Sequence, residues 1–209
     1  MKLSRLLPLL LVVCLAFGSA RAAETYQVLG QLAPSVSAGS ITCTSATPMV
    51  CTLSGHNSAA GDQFMFTGGT APTGTSLNTS YFIIAGGLTA NNFELATTRG
   101  GSAIASSSTG SALTGDFYHV LYTPSGSNAA VLSSMHVCNR SSTVADTVRI
   151  AIIPAGAAIA NKNFISYGTS VPFGDCIYPP AATMANTDYV YVYSLFGTSS
   201  FSAFGAEEN

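Results

Sequence analysis

The chain has 209 residues, of which 47% are apolar and only 8% charged, and it contains no Trp. An average domain carries roughly a quarter charged residues, so this balance excludes a disordered chain and leaves a surface poorly defended against association. Three of the seven basic residues, Lys2, Arg5 and Arg21, lie in the first 22 positions; four basic and nine acidic residues remain beyond them, a net of −5. That body excludes nucleic-acid binding through phosphate contacts and a basic membrane-surface helix.

The first predicted element is a leader over residues 1–22. Lys2 and Arg5 precede an apolar run over 6–17, and Ala20 and Ala22 flank Arg21 as small residues two apart. This is the three-part pattern of a secretory signal, with cleavage expected after Ala22. The run falls short of the ~20 apolar residues of a membrane span, so no membrane is expected for the mature form. Cys14 lacks the preceding small residues of a lipoprotein signal. The competing reading is a retained hydrophobic helix buried in an assembly.

Beyond the leader the pattern is strand throughout. Short runs rich in Val, Ile, Tyr, Phe and Thr occur at 25–29, 117–122, 131–138, 147–153, 164–167, 189–193 and 200–204. Turn signals at 124–126, 154–156, 173–175 and 179–180 separate them. The fold class is all-β, a jelly-roll-like β-sandwich, with at most a helical turn in the Ala-rich stretch 155–160. Residues 39–114 read as a small inserted β-domain within an outer sandwich of residues 23–38 and 115–209. Its strand candidates are 40–44 and 49–53 around Pro48, then 61–66, 81–84 and 92–96. The Gly/Ser-rich stretch 100–115 is expected to serve as a flexible return.

The shell of this arrangement is worded YQVLGQLAP at 26–34, VCNR at 137–140, PAG at 154–156, YVYVY at 189–193 and FSAFG at 201–205. It resembles a group of small bacteriophage virion proteins in which a VLGQLAP strand leads directly into a domain ending in FSAFG. The middle resembles a module recurring in phage tail and tail-fibre proteins, through Gly55-His56-Asn57, Gly61-Asp62, Ala71-Pro72-Thr73-Gly74, Tyr81-Phe82 and the run FELATTRGG at 93–101. Asn57 stands where a Gly is common, a change that a residue tolerant of left-handed backbone absorbs. Together the two resemblances cover most of residues 24–209. They imply a non-enzymatic structural component of a virion (tail, fibre or head decoration) that partners itself as a homo-oligomer and other virion proteins. A host surface receptor stays open as a further partner. No catalytic residue or cofactor comes with the resemblance.

Outside the leader the cysteines are Cys43, Cys51, Cys138 and Cys176, an even count that permits two disulfides in three pairings. Cys43 and Cys51 flank Pro48 and could face each other across a hairpin; Cys138 and Cys176 would then link two outer strands. The alternative is four buried thiols, as a reducing compartment would keep them. No C-x₂₋₄-C pair suggests zinc. His56, His119 and His136 show no metal-ligand spacing: His56 is expected to brace a turn, the other two to pack within strands. Asp62, Asp116, Asp175 and Asp188 sit beside Gly or at strand starts and read as turn residues, although their spacing leaves a glycosidase pair open. With no nucleophile elbow, P-loop or EF-hand loop, the sequence nominates no catalytic, cofactor-binding or metal residues. Asn78 and Asn139 head glycosylation sequons, which matter only in a eukaryotic secretory route.

Tyr189, Tyr191 and Tyr193 alternate with Val190 and Val192 on one strand. Either both faces are core, or the Tyr face packs on a neighbouring subunit. The runner-up function is a secreted bacterial adhesin or filament subunit at the cell surface, in which a strand such as 24–32 pairs with the next copy.

Overall fold

Runs of β-branched and aromatic residues between turn residues fold as antiparallel strands in the computed structural model, which describes residues 25–34 and 40–208. The leader reading and the expected module boundary at 38/39 lie outside the described residues. In chain order the strands are β1 (Gln27–Leu32), β2 (Thr42–Cys43), β3 (Val50–Thr52), β4 (Gln63–Thr70), β5 (Ser80–Ile84), β6 (Asn92–Ala96) and β7 (Ser111–Tyr122). They continue as β8 (Ala130–Asn139), β9 (Asp146–Ile153), β10 (Phe164–Val171), β11 (Cys176–Ile177), β12 (Ala182–Met184), β13 (Tyr189–Ser194) and β14 (Ser199–Glu207). A 3-10 turn, Asn161–Asn163, is the helical segment among the described residues.

Two sheets result. The smaller runs β1–β14–β8–β11, with β12 also paired to β8; the larger runs β10–β9–β13–β7–β4–β5–β6–β3–β2. The sandwich core lies between the smaller sheet and the β10–β9–β13–β7 half of the larger. Leu132, Met135, Val137, Phe201 and Ala203 from one side meet Val148, Ile150, Val190 and Val192 from the other. A second core, rich in rings, sits under the remaining strands of the larger sheet: Phe64, Phe66 and Phe93 with Met49, Ile83 and Leu95. Burial of such side chains supplies ~1.5–3 kcal/mol each.

β7 belongs to both halves. Ser111–Tyr118 of it pairs with β4, and His119–Tyr122 with β13. The expected boundary at 114/115 therefore falls inside one continuous strand. The expectation of a flexible return over 100–115 is corrected, because residues from 111 onward are strand. The stretch before them is also held by backbone bonds, Ile104 to Leu95 and Ser106 to Ala46, which need no apolar side chain.

Two glycines of the resembling shell have steric reasons. A Cβ on Gly30 would strike the Leu121 carbonyl where β1 crosses β7, and one on Gly205 would strike the Val131 carbonyl beside the β14/β8 irregularity. β1 itself pairs antiparallel with β14 of its own chain, so residues 27–32 are seated in cis. β1 is the end strand of this sheet, with one edge paired to β14.

Candidate functional site

The Tyr strand is a core strand on both faces. Val190 and Val192 enter the sandwich core, while Tyr191 and Tyr193 lie in a third cluster with Tyr118, Ala151 and Ile153. Residues of the 157–164 segment, Ala157, Ile159 and Phe164, pack over this cluster. Gln63 ties that cover down: its side-chain amide donates to the Ala157 carbonyl (3.2 Å), and its carbonyl accepts from the Ile159 N–H (2.9 Å).

Two guanidinium groups complete the cover. Arg99 lies over the Tyr189 ring at 3.9 Å and donates to the Gly61 carbonyl and the Tyr191 hydroxyl. Arg149 lies over Tyr193 at 4.5 Å and donates to Asp116 Oδ2 and the Tyr118 hydroxyl, each at 2.6 Å. Cation–π contact of this kind is worth ~0.5–2 kcal/mol. Burial pushes the phenols of Tyr191 and Tyr193 upward and that of Tyr118 to about 12. The expectation that Tyr191 and Tyr193 pack on a neighbouring subunit is thus corrected: they are 1% and 5% exposed under their own chain. Tyr189 is half-buried beneath Arg99.

The histidines and carboxylates divide. His56 braces its loop as expected: its ring reaches the Asn92 carbonyl (3.3 Å), accepts the Ser58 N–H (3.2 Å) and stacks on Phe117, and burial lowers its pKa. Asn57 beside it has φ +46°, the left-handed backbone its place requires. His119 is buried and bonded through Nδ1 to Asp62 (2.9 Å), whose other oxygen accepts the Val120 N–H. Asp62 caps the turn before β4 as expected, accepting the Ala59 N–H (2.9 Å), and also ties that turn to β7. Asp116, inside β7 and paired with Arg149, is corrected from turn residue to cross-strand ion pair. Asp175 and Asp188 do cap turns, accepting the Cys176 and Ala185 N–H groups. His136 is corrected from packing residue to surface residue.

Sequence reasoning missed Asp146 and the role of Asn139. Asp146 is fully buried and accepts from the N–H groups of Thr147, Phe196 and Ser199 and the hydroxyls of Ser194 and Ser199. Burial alone would raise its carboxyl, but the Ser194 and Ser199 hydrogen bonds prevail and hold it below the usual range. Asn139, the sequon asparagine, is buried with its amide on the Val144 and Val171 carbonyls, so it fastens loops.

The cysteines pair as Cys43–Cys51 and Cys138–Cys176, with Cα separations of 4.0 and 4.1 Å. Both pairs are directly opposed across antiparallel strands, β2/β3 and β11/β8, where the closer type of pairing brings Cβ atoms together.

Exposed aromatic residues include Tyr167 of β10 and, in loops, Phe173 and Phe196, and a further group lies on the outward face of the smaller sheet. One row across it is Gln31–Ser202–His136, and the next is Val28–Phe204–Ser134. The His136 ring stands between Tyr178 (4.9 Å, edge-on) and Phe204 (5.2 Å). Tyr26 reaches Ser134 Oγ at 3.2 Å. Tyr178, Tyr26 and Val28 are 69%, 60% and 51% exposed. A signal was present: Phe204 interrupts the otherwise small or polar row Ser200, Ser202, Ala206 of β14.

A groove of about 280 Å³ between the sheets' margins is lined by Thr67, Thr114, Asp116, Phe117, His119 and Tyr193, among others. Its Asp and His members are already bonded, Asp116 to Arg149 and His119 to Asp62. Among the described residues no group of three or more His, Cys, Asp or Glu could hold a metal ion, and no helix is long and apolar enough to cross a membrane. Comparison with known protein families, curated proteins and solved structures finds no match for this chain.

Proposed function

We propose that this chain is a non-enzymatic structural component of a bacteriophage virion, of the tail or fibre type, working by contacts with its own copies and with other virion proteins. One observation carries the reading. The phrases of the shell resemblance at 28–32, 201–205 and 137–139 are far apart in sequence, yet they lie side by side as β1, β14 and β8 of one sheet. They form one structural unit, with their glycines in required positions. The scarcity of charge supports assembly, since a neighbour can cover such a surface at little desolvation cost. Peptide mass spectrometry and antibody labelling of purified particles test it. The chain should be present in multiple copies per particle at one defined location; its recovery only from the host envelope would overturn the proposal.

A second reading is favoured by the disulfides. Two oxidised pairs suit an exported protein, which points to the secreted adhesin or filament subunit at the cell surface. The mature N-terminus and alkylation of thiols in intact cells separate the two. A start at residue 23 with all four cysteines blocked to alkylation favours export.

A further inference from the structure

We infer that the outward face of the β1–β14–β8–β11 sheet is a self-association surface, occupied by the same face of a second copy of this chain. The inference rests on the structural reading above and names the surface which that reading requires. The sandwich has two outer faces. On the larger sheet the chain lays Ala157, Ile159 and Phe164 over Tyr191 and Tyr193 and leaves Tyr167 of β10 exposed beside Arg149, whereas on the smaller sheet Tyr26, Val28 and Tyr178 lie more than half exposed with no described segment over them.

Size and charge point to a second copy as the occupant. The strands of this sheet, at ~3.4 Å per residue and ~4.8 Å apart, give a plan area of roughly 500 Å². Side-chain relief brings the accessible area toward the roughly 600 Å² per partner at the low end of standard interfaces. In a two-fold contact each patch meets itself, so a charge near the axis meets its like and a charge elsewhere needs an opposite partner on the same patch. The rows Gln31–Ser202–His136 and Val28–Phe204–Ser134 hold no Lys, Arg, Asp or Glu. Their Ser and Gln groups can donate to and accept from identical groups, and Tyr and Phe are the residues enriched in interface cores. β1 also forms the margin of the sheet, and its six residues carry neither charge nor proline, the usual guards of an open edge.

The test uses the full chain as recovered from cells. Sedimentation velocity across a concentration series is run on the wild type, on Tyr178→Glu and Val28→Glu, and on Phe173→Glu as an exposed aromatic off this face. A Ser202→Cys variant adds a positional readout, because a residue near a two-fold axis meets its own copy. The wild type should dimerise and the two face variants should need roughly a hundredfold higher concentration, a buried unpaired charge being the cause. Phe173→Glu should behave as wild type, and Ser202→Cys should cross-link between copies under mild oxidation. Association that survives both face variants, with no Ser202→Cys cross-link, overturns the surface while leaving the structural reading intact. A wild type that stays monomeric throughout overturns this occupant; if the chain is nevertheless found in particles, the face serves a different virion protein.

Discussion

On the outer face of the larger sheet, Tyr191 and Tyr193 lie beneath residues 157–164 and against two guanidinium groups, whereas on the outer face of the smaller sheet Phe204 and Tyr178 flank a single histidine, with Tyr26 at Ser134, and no described segment lies over them. Both faces are aromatic and both lie on antiparallel strands. They differ in what the rest of the chain brings to them. Arg99 and Arg149, half of the basic residues beyond the leader, are committed to the first face, and Gln63 fastens the covering segment there. Among the described residues, the rows of the second face hold no Lys or Arg and no segment lies over them. Aromatic content alone therefore does not tell the two faces apart; the distribution of the few charges does.

The most severe way to break this contrast is Tyr191→Ala. It removes a ring that is 1% exposed and leaves the Gly61 carbonyl and Arg99 without the hydroxyl. Truncation of large buried aromatics costs ~3–5 kcal/mol, and denaturant unfolding should show a loss of that size. A loss below ~1 kcal/mol would mean the face is not core.

The disulfides come next. Cys138–Cys176 closes a separation of 38 residues and Cys43–Cys51 one of only 8. By loop closure the first should contribute about 4 kcal/mol and the second about 2.5 kcal/mol. Paired Cys→Ala variants, compared by thermal unfolding, check the order. Because the first bridge pins β11, and with it the approach to Tyr178, its loss should also loosen the open face more than the covered one. Hydrogen exchange around residues 176–178 reads that difference.

The two faces were not equally legible. Alternation makes β8 and β9 readable as strands, since period-two burial is written into neighbouring residues, and β13 is readable from its unbroken run of Val and Tyr. The opposition of Cys43 and Cys51 around Pro48 was readable for the same local reason. The start of β7 was not: its Gly/Ser/Ala wording looks like a linker, and what holds it is backbone pairing to β4 with Leu113 as a lone core side chain. Nor was Asp146, whose partners Ser194, Phe196 and Ser199 lie about fifty residues further on. Which face of β13 was free depended on Arg99 and residues 157–164, none of them neighbours in sequence.

Extremes of pH should act through the buried and hydrogen-bonded groups. Asp146 sits below the ordinary carboxylate range, and the Ser125 and Tyr122 hydrogen bonds hold Glu207 at about 2. A depressed folded pKa gives stability that is present above the unfolded value of ~4 and is lost as pH falls toward 2. At the other end, burial raises Tyr118 to about 12 and Tyr191 and Tyr193 in the same direction. A raised folded pKa gives stability that is complete below the unfolded value of ~10 and is lost as pH climbs toward 12. Melting temperatures should hold a plateau between these limbs. On the alkaline limb, part of the tyrosinate absorbance should appear only as tertiary structure is lost. Complete ionisation of all nine tyrosines in a still-folded chain would contradict the burial of the first face.

The smallest effect on the fold, and the sharpest test of the contrast, is expected from Tyr178→Ser. The ring is 69% exposed, and its ring contact is an edge-on approach to His136, itself a surface residue. It follows the two-residue strand β11 directly and precedes Pro179 and Pro180, so neither strand pairing nor turn geometry depends on its side chain. Surface substitutions away from buried networks change stability by no more than ~0.5 kcal/mol, and denaturant unfolding of a dilute sample should give a value within that range. Concentrated samples should behave differently, because a contact made through this face stabilises the folded form by mass action. The wild type should therefore gain melting temperature with protein concentration while Tyr178→Ser does not. If the variant instead loses ~2 kcal/mol when dilute, the ring is part of the fold and the two faces are not distinguished by cover. If wild type and variant gain equally on concentration, the exposed tyrosine is simply an exposed tyrosine.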